Sequence, residues 1–271
     1  QESERIISEK PLGDKECGST GSHSALDDET FEKIKALRRE LHKIPELSGQ
    51  ERRTMEVLKT FIREHTSLSV TDRGGWFYVL HQENGAEETV VFCADMDAIK
   101  GAGNIPYHGC GHDGHSAILA GLCLLTEGRV FQKNLCFLFQ PAEETGEGGN
   151  PCSRLLEELG ADRVYGYHNL PGYPLGTAVM RRETISCDTV NTPEITDMSR
   201  MLFEQEGIPC LEAAAPFRWS EDFGWYLKKC QGMYFGIGAG EDCPDLHTPE
   251  YEFPDEVIRN AVRCLYLLAE I

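Results

Sequence analysis

No stretch of this chain approaches the roughly 20 uninterrupted apolar residues that a membrane helix needs. The best apolar runs, Val90–Ala94 and Cys264–Ala269, are short. Basic residues are scarce: 26 Lys and Arg stand against 45 Asp and Glu, for a formal net charge of −19. That balance argues against a nucleic-acid backbone or an anionic membrane as the main partner. There is no CxxC pair among the 11 cysteines. Their odd number, and the placement of several inside apolar runs, point to reduced thiols and a cytoplasmic location rather than a disulfide framework. The N-terminus shows no signal-peptide pattern, and a start at Gln1 rather than Met leaves earlier trimming open. Other chemistries lack their motifs, since no GxSxG elbow, Walker A loop or HExxH occurs. Gly236–Gly240 has part of a dinucleotide fingerprint, but no helix follows it at once. What is present suffices for a core. Apolar residues make up 40% of the 271, with 12 Phe, 9 Tyr and 3 Trp, which excludes global disorder.

Residues 1–27 read as an N-terminal extension, turn-rich around Gly18–Ser24. Beyond Asp28, Phe31, Ile34, Leu37 and Leu41 recur at helical spacing and predict a helix over 29–43. A second helix is expected over 51–65, and others over 113–127, 152–159, 193–206, 220–229 and 254–270. Between them lie short β-like runs at 68–70, 77–80, 89–94, 135–139, 164–168 and 233–237. Alternating strands and helices predict an α/β domain: three layers, with a mixed, mostly parallel twisted sheet covered by helices on both faces.

In such sheets the ligand site lies at the carboxyl ends of the strands. Polar residues end four of them. Asp95-Met96-Asp97 follows the run at 89–94, and Gln140-Pro141-Ala142-Glu143-Glu144 follows 135–139. His168 ends 164–167, and His247 lies nine residues beyond Gly238. The segment Tyr107–His115 holds one Cys, three His and one Asp within nine residues. Cys110 and His112, two apart, project to one side of an extended loop. Thiolate and imidazole together suit zinc or a neighbouring first-row metal. Of two adjacent carboxylates, one can bind metal while the other stays free as a general base. Asp97 reads either as a strand-end residue or as a carboxylate that holds a ligand histidine in its tautomer. Ser220-Glu221-Asp222-Phe223 reads equally as a helix N-cap and as a functional segment.

Taken together, these segments resemble the aminoacylase, hippurate hydrolase and indole-acetyl-amino-acid hydrolase group of di-metal amidohydrolases and exopeptidases. The matching stretches are Leu41–Leu47, Ala94–Ala98, His108–His115, Gln140–Glu144, His168–Gly172, Ser220–Phe223 and Leu246–Pro249, in family order over about residues 30–270. The resemblance implies two divalent metal ions, zinc first and manganese or cobalt as alternatives. Their ligands would be Cys110, His112, Glu144, His168 and His247. Glu143 would be the general base and acid acting on a metal-bridging water, with Asp97 beside it in the catalytic set. Substrates by family are N-acyl amino acids or small dipeptides.

One departure is large. The family carries a lid-like second domain, usually its dimerisation surface, after the strand near Gly176–Met180. Here residues 181–191 pass directly to the next helix, with no room for a further domain. The expectation is therefore one catalytic domain over 28–271, a monomer or a dimer through another surface, with intact metal sites and weak or altered turnover. A metal-binding relative with a scaffold role is the alternative.

Overall fold

The structure is a computed structural model that describes residues 26–217 and 221–271. The extension expected over 1–27 falls almost wholly outside the described residues, as do Cys17 and Ser220.

The central strand β3 (Thr89–Asp95) is buried at every residue, which a strand covered on both faces requires. Its side chains alternate. Val90, Phe92 and Ala94 join one apolar cluster, while Val91 and Cys93 join another. The first cluster is closed by five helices: α1 (Asp28–His42), α2 (Arg52–His65), α3 (His112–Thr126), α5 (Pro193–Gln205) and α7 (Val257–Glu270). The second is closed by α4 (Gly149–Leu159) and the short α6 (Gly224–Leu227). This is the expected three-layer arrangement.

Eight strands make the sheet: β1 (Ser69–Asp72), β2 (Phe77–His81), β3, β6 (Asn134–Gln140), β7 (Arg163–Pro171), β8 (Ala178–Met180), β11 (Cys210–Glu212) and β12 (Gln231–Gly240). Their order is β1-β2-β6-β3-β7-β12-β8-β11. The central β6, β3, β7 and β12 run parallel, and antiparallel pairings of β1 with β2, β2 with β6, and β12 with β8 make the sheet mixed. Two small ribbons stand apart, β4 (Ile99–Lys100) with β5 (Pro106–Tyr107), and β9 (Thr184–Ser186) with β10 (Thr189–Val190). The pieces of two or three residues, and β11, escape a reading based on periodicity because they are too short to show one.

The helix expected over 220–229 is a correction. Only Gly224–Leu227 is helical. Glu221 and Asp222 do not cap it, because both side chains turn inward. Asp222 accepts from the Gly149 N–H at 2.6 Å and from Gln140 Nε2 at 2.7 Å, so it caps α4 from a distance. Glu221 accepts from the Tyr234 hydroxyl at 2.6 Å.

Between β8 and α5 the β9–β10 hairpin folds back onto the sheet. Asn191 fixes it: its Nδ2 donates to the carbonyls of Arg181 and Tyr234, both at 2.9 Å, and its Oδ1 accepts from the Tyr234 N–H at 2.8 Å.

A buried charge network ties α1 to α3 and the start of α7. Arg38 is 2% exposed, with Nε 2.8 Å from Asp255 and Nη1 3.5 Å from Asp113. His42 Nδ1 lies 2.7 Å from the same Asp113 carboxylate. Removing Arg38 leaves Asp255 with Arg39 and Asp113 with His42 as their remaining partners, so Arg38→Leu is expected to cost about 2–3 kcal/mol in urea unfolding. A loss below about 1 kcal/mol, the scale of an exposed pair, would contradict the network's role.

The hydrogen bond that His42 donates to Asp113 raises the His42 pKa above 6.5, against the opposing effect of burial. Its stabilising contribution is therefore complete below that value and fades as pH rises through the raised one. The melting-temperature gap between wild type and His42→Phe should be widest near about pH 6 and shrink towards about pH 9. A gap constant across that range would refute the assignment.

Candidate metal centre

The carboxyl ends of the parallel strands converge on one cavity of about 250 Å³, lined by Cys110, Glu143, Glu144, His168, Glu221, Leu246 and His247. Its deepest support is Asp97, which is fully buried just past the end of β3. Asp97 Oδ1 lies 3.1 Å from His112 Nδ1, and the Asp97 carbonyl lies 3.0 Å from the same nitrogen. With two oxygens facing it, Nδ1 donates, and Nε2 points towards Glu143 and Glu144, where a cation can take the place of its proton. Asp97 Oδ2 accepts from the Ser48 hydroxyl at 2.7 Å and from the Glu144 N–H at 3.0 Å. One carboxylate thus sets a histidine ring and the backbone of the Glu143-Glu144 turn.

His168 is held likewise. Its Nδ1 donates to the Asn169 carbonyl at 2.8 Å, and its Nε2 lies 3.3 Å from Cys110 Sγ. His112 Nε2 stands 4.0 Å from Glu143 Oε2 and 3.9 Å from Glu144 Oε1, and Glu144 Oε1 lies 3.6 Å from His247 Nε2. Two neighbouring residues have left-handed backbone without being glycine: Ala142 at φ +54° and His247 at φ +64°. Each costs strain that the surroundings must hold. The Ala142 N–H donates to the buried Glu51 at 2.8 Å, and the His247 N–H donates to the Gly109 carbonyl at 2.8 Å.

All the residues expected to bind metal therefore meet. Donor atoms of Cys110, His112 and His168 lie within 4.8 Å of one another, and so do those of Cys110, Glu144 and His247, and of His112, Glu143 and Glu144. Among the described residues the buried atoms His112 Nε2 and Glu144 Oε1 have no hydrogen-bond partner, as two unused ligand positions would. A thiol, imidazoles and a carboxylate around one small cavity fit divalent zinc or a neighbouring metal.

The remaining histidines of the Tyr107–His115 segment turn elsewhere. His115 Nε2 meets Asn169 Oδ1 at 2.6 Å, and Asn169 Nδ2 donates to the Tyr251 hydroxyl at 2.6 Å. This pair sits against Gly111, which starts α3 at φ +91°. A Cβ there would come within 2.6 Å of Asn169 Oδ1 and 2.7 Å of the Tyr251 oxygen. Asn169, Tyr251 and Glu221 were not singled out individually by sequence reasoning. The pattern His168-Asn169 at a strand end was the one available signal for Asn169.

The electrostatics follow burial. Desolvation, then the negative Glu221 and Asp95, push Glu143 up to about 11. Burial and Asp222 lift Glu221 to about 8. Burial also acts to raise Glu144, but the nearby His247 imidazole and the charge of His112 outweigh it and hold the carboxyl at about 2. Burial and the neighbouring His112 lower His168 to about 4, and burial pushes the Cys110 thiol up. Cation binding at such a set displaces protons.

Residues 91–271 match the sequence profile of peptidase family M20/M25/M40. Among curated proteins, the chain is 31% identical over 175 residues to the N-acetyldiaminopimelate deacetylase of Geobacillus thermodenitrificans, covering 59% of this chain and 46% of that one. It is 33% identical over 170 residues to the same-named enzyme of Listeria monocytogenes, covering 57% and 45%. The chain thus spans about half the length of these relatives. Among solved structures, the Bacillus subtilis YXEP protein, described as a dinuclear metal binding peptidase of the M20 family, superposes with a TM-score of 0.81 at 17% identity. That superposition covers 90% of this chain and 98% of that one. With two thirds of its length inside the family profile, and the fold and donor cluster in place, the chain belongs to peptidase family M20/M25/M40.

Proposed function

We propose that this chain is a metal-dependent amide hydrolase for N-acyl amino acids or small dipeptides. The observation that carries the reading is the meeting of donor atoms from Cys110, His112, Glu144, His168 and His247, with Glu143 lining the same cavity and lying outside both trios that contain Cys110. The names of the curated relatives support an N-acetyl amino acid as the substrate class.

The five residues would hold two divalent ions, with zinc favoured by the thiol and manganese or cobalt as alternatives. When bound, such ions polarise the scissile carbonyl and make water a better nucleophile at neutral pH. Glu143 takes a proton from the attacking water and passes it to the leaving nitrogen. The water oxygen bonds to the carbonyl carbon, the C–N bond breaks, and a carboxylic acid and an amine leave. Asp97 acts as a positioning residue, fixing the tautomer and direction of His112. Asn169 does the same for His168 through its carbonyl.

Residues 28–271 would form one catalytic domain, monomeric or dimeric through a surface other than a lid. The described cysteines are all free, which supports a cytoplasmic location, and no described helix is long and apolar enough to cross a membrane. A specific observation favours a second reading, a metal-binding relative with little turnover. Between β8 and α5 the chain forms only the short β9–β10 hairpin, which is too small to close over a substrate and exclude water.

Two measurements separate these readings. Screening N-acetyl, N-benzoyl and dipeptide substrates with zinc, manganese or cobalt should find turnover that falls by about 10²–10⁴-fold in Glu143→Gln. Equal rates in both proteins, or no turnover in either, would favour the second reading. Elemental analysis should give two ions per chain, and Asp97→Asn should weaken metal affinity by about 10–100-fold while the protein stays folded. A folded, metal-supplemented wild type that binds none would defeat both readings.

A further inference from the structure

We propose that Lys100 recognises a free carboxylate on the substrate and so makes this site selective for acylated amino acids over their neutral amides. The assignment rests on the hydrolase reading above. Two grooves open from the central cavity. One, of about 400 Å³, leaves past Glu144 between Ser48, Gln50 and Thr145. The other, of about 500 Å³, leaves past His247 between Ile105, Tyr107 and Pro249. Lys100 lines both, and it is the one lysine or arginine among the described residues lining the cavity or either groove.

Its position is built. Lys100 ends β4, which β5 holds in register by pairing Ile99 with Tyr107 and Lys100 with Pro106. The ribbon is anchored on one side at Ala98, next to Asp97, where the Ala98 N–H donates to the Glu46 carbonyl at 2.8 Å. On the other side it runs into Gly109 and Cys110. Gly101 is required beneath it, because a Cβ there would fall 2.8 Å from the Tyr107 ring.

Among the described residues Lys100 makes no ion pair or side-chain hydrogen bond. The nearby arginines of the hairpin are engaged elsewhere. Arg181 donates to the carbonyls of Thr184 and Ala213, and Arg182 pairs with Asp197. A cavity lined by Glu143, Glu144 and Glu221 in a chain of net charge −19 repels an anionic ligand, so one unpaired ammonium on the shared wall has a large local effect. Ile105, Tyr107 and Pro249 give the groove beside His247 an apolar wall for the uncharged part of the substrate, and Gln50 and Thr145 offer donors beside the ammonium in the other.

The test uses zinc-loaded protein carrying Glu143→Gln to stop turnover. An N-acetyl amino acid and its α-carboxamide, alike in side chain, are titrated calorimetrically with Lys100 present, as Lys100→Arg and as Lys100→Met. The carboxylate should bind about tenfold or more tightly than the carboxamide with Lys or Arg, and about equally with Met. A preference that survives Lys100→Met, or binding of neither compound, overturns the assignment. Kinetics without the Glu143 change keep the two proposals apart. Lys100-dependent binding without hydrolysis of either compound sinks the hydrolase reading alone. Hydrolysis whose carboxylate preference ignores Lys100 sinks this one alone.

Discussion

A single buried carboxylate, Asp97, organises the site. Burying it costs several kcal/mol unless its oxygens are satisfied. They are satisfied by donors from three distant stretches: the Ser48 hydroxyl, the His112 ring and the Glu144 backbone. The loop before α2, the start of α3 and the turn after β6 are therefore fixed relative to one another. A neutral or longer side chain at position 97 could not meet all three with the same geometry. The imidazole direction and the placement of both adjacent glutamates depend on this one group.

That group works because of where β3 delivers it. The parallel strands β6, β3, β7 and β12 end on one side of the sheet, and each end supplies a polar segment. Residues as far apart in sequence as Asp97 and His247 are thereby brought within a few side-chain lengths. The apolar layers keep the strand ends rigid, and the strained turns at Ala142 and His247 are paid for by hydrogen bonds from that frame. Burial sets the chemistry as well. The same desolvation that lifts Glu143 is opposed at Glu144 by His247 and His112, so adjacent carboxyl groups acquire different proton affinities.

Much of this was legible in the chain. The helices expected over 29–43, 51–65, 113–127 and 193–206 fall within a residue of the observed bounds, while those over 152–159 and 254–270 miss the start by three residues. The buried strands were visible as continuous apolar runs. Helix 220–229 was misjudged because Glu221 and Asp222 look like an acidic first turn, whereas tertiary partners at Tyr234, Gln140 and Gly149 claim both side chains. The expected ligand residues do come together, and of the histidines of Tyr107–His115 the resemblance names His112 alone. The packed structure supplies the reason, with His112 Nε2 turned to Glu143 and Glu144 and His115 turned to Asn169. Lys100 carries no sequence signal at all, since a lone lysine in a loop is ordinary until two grooves are seen to share it.

The contact between the first and last described helices has a consequence for how the chain acquires its structure. Arg259 of α7 donates to the Leu26 carbonyl at 3.1 Å, α1 and α3 both lie against α7, and Phe253 fills the space beside Gly114. The apolar face of α1, which includes Ile34 and Leu41, is thus completed by residues more than two hundred positions later, and that of α3 by residues more than one hundred positions later. During synthesis from the N-terminus those faces wait uncovered until the C-terminal helix emerges. High sequence separation of this kind makes folding slow and leaves a sticky intermediate, so the step most exposed to aggregation is the docking of α7.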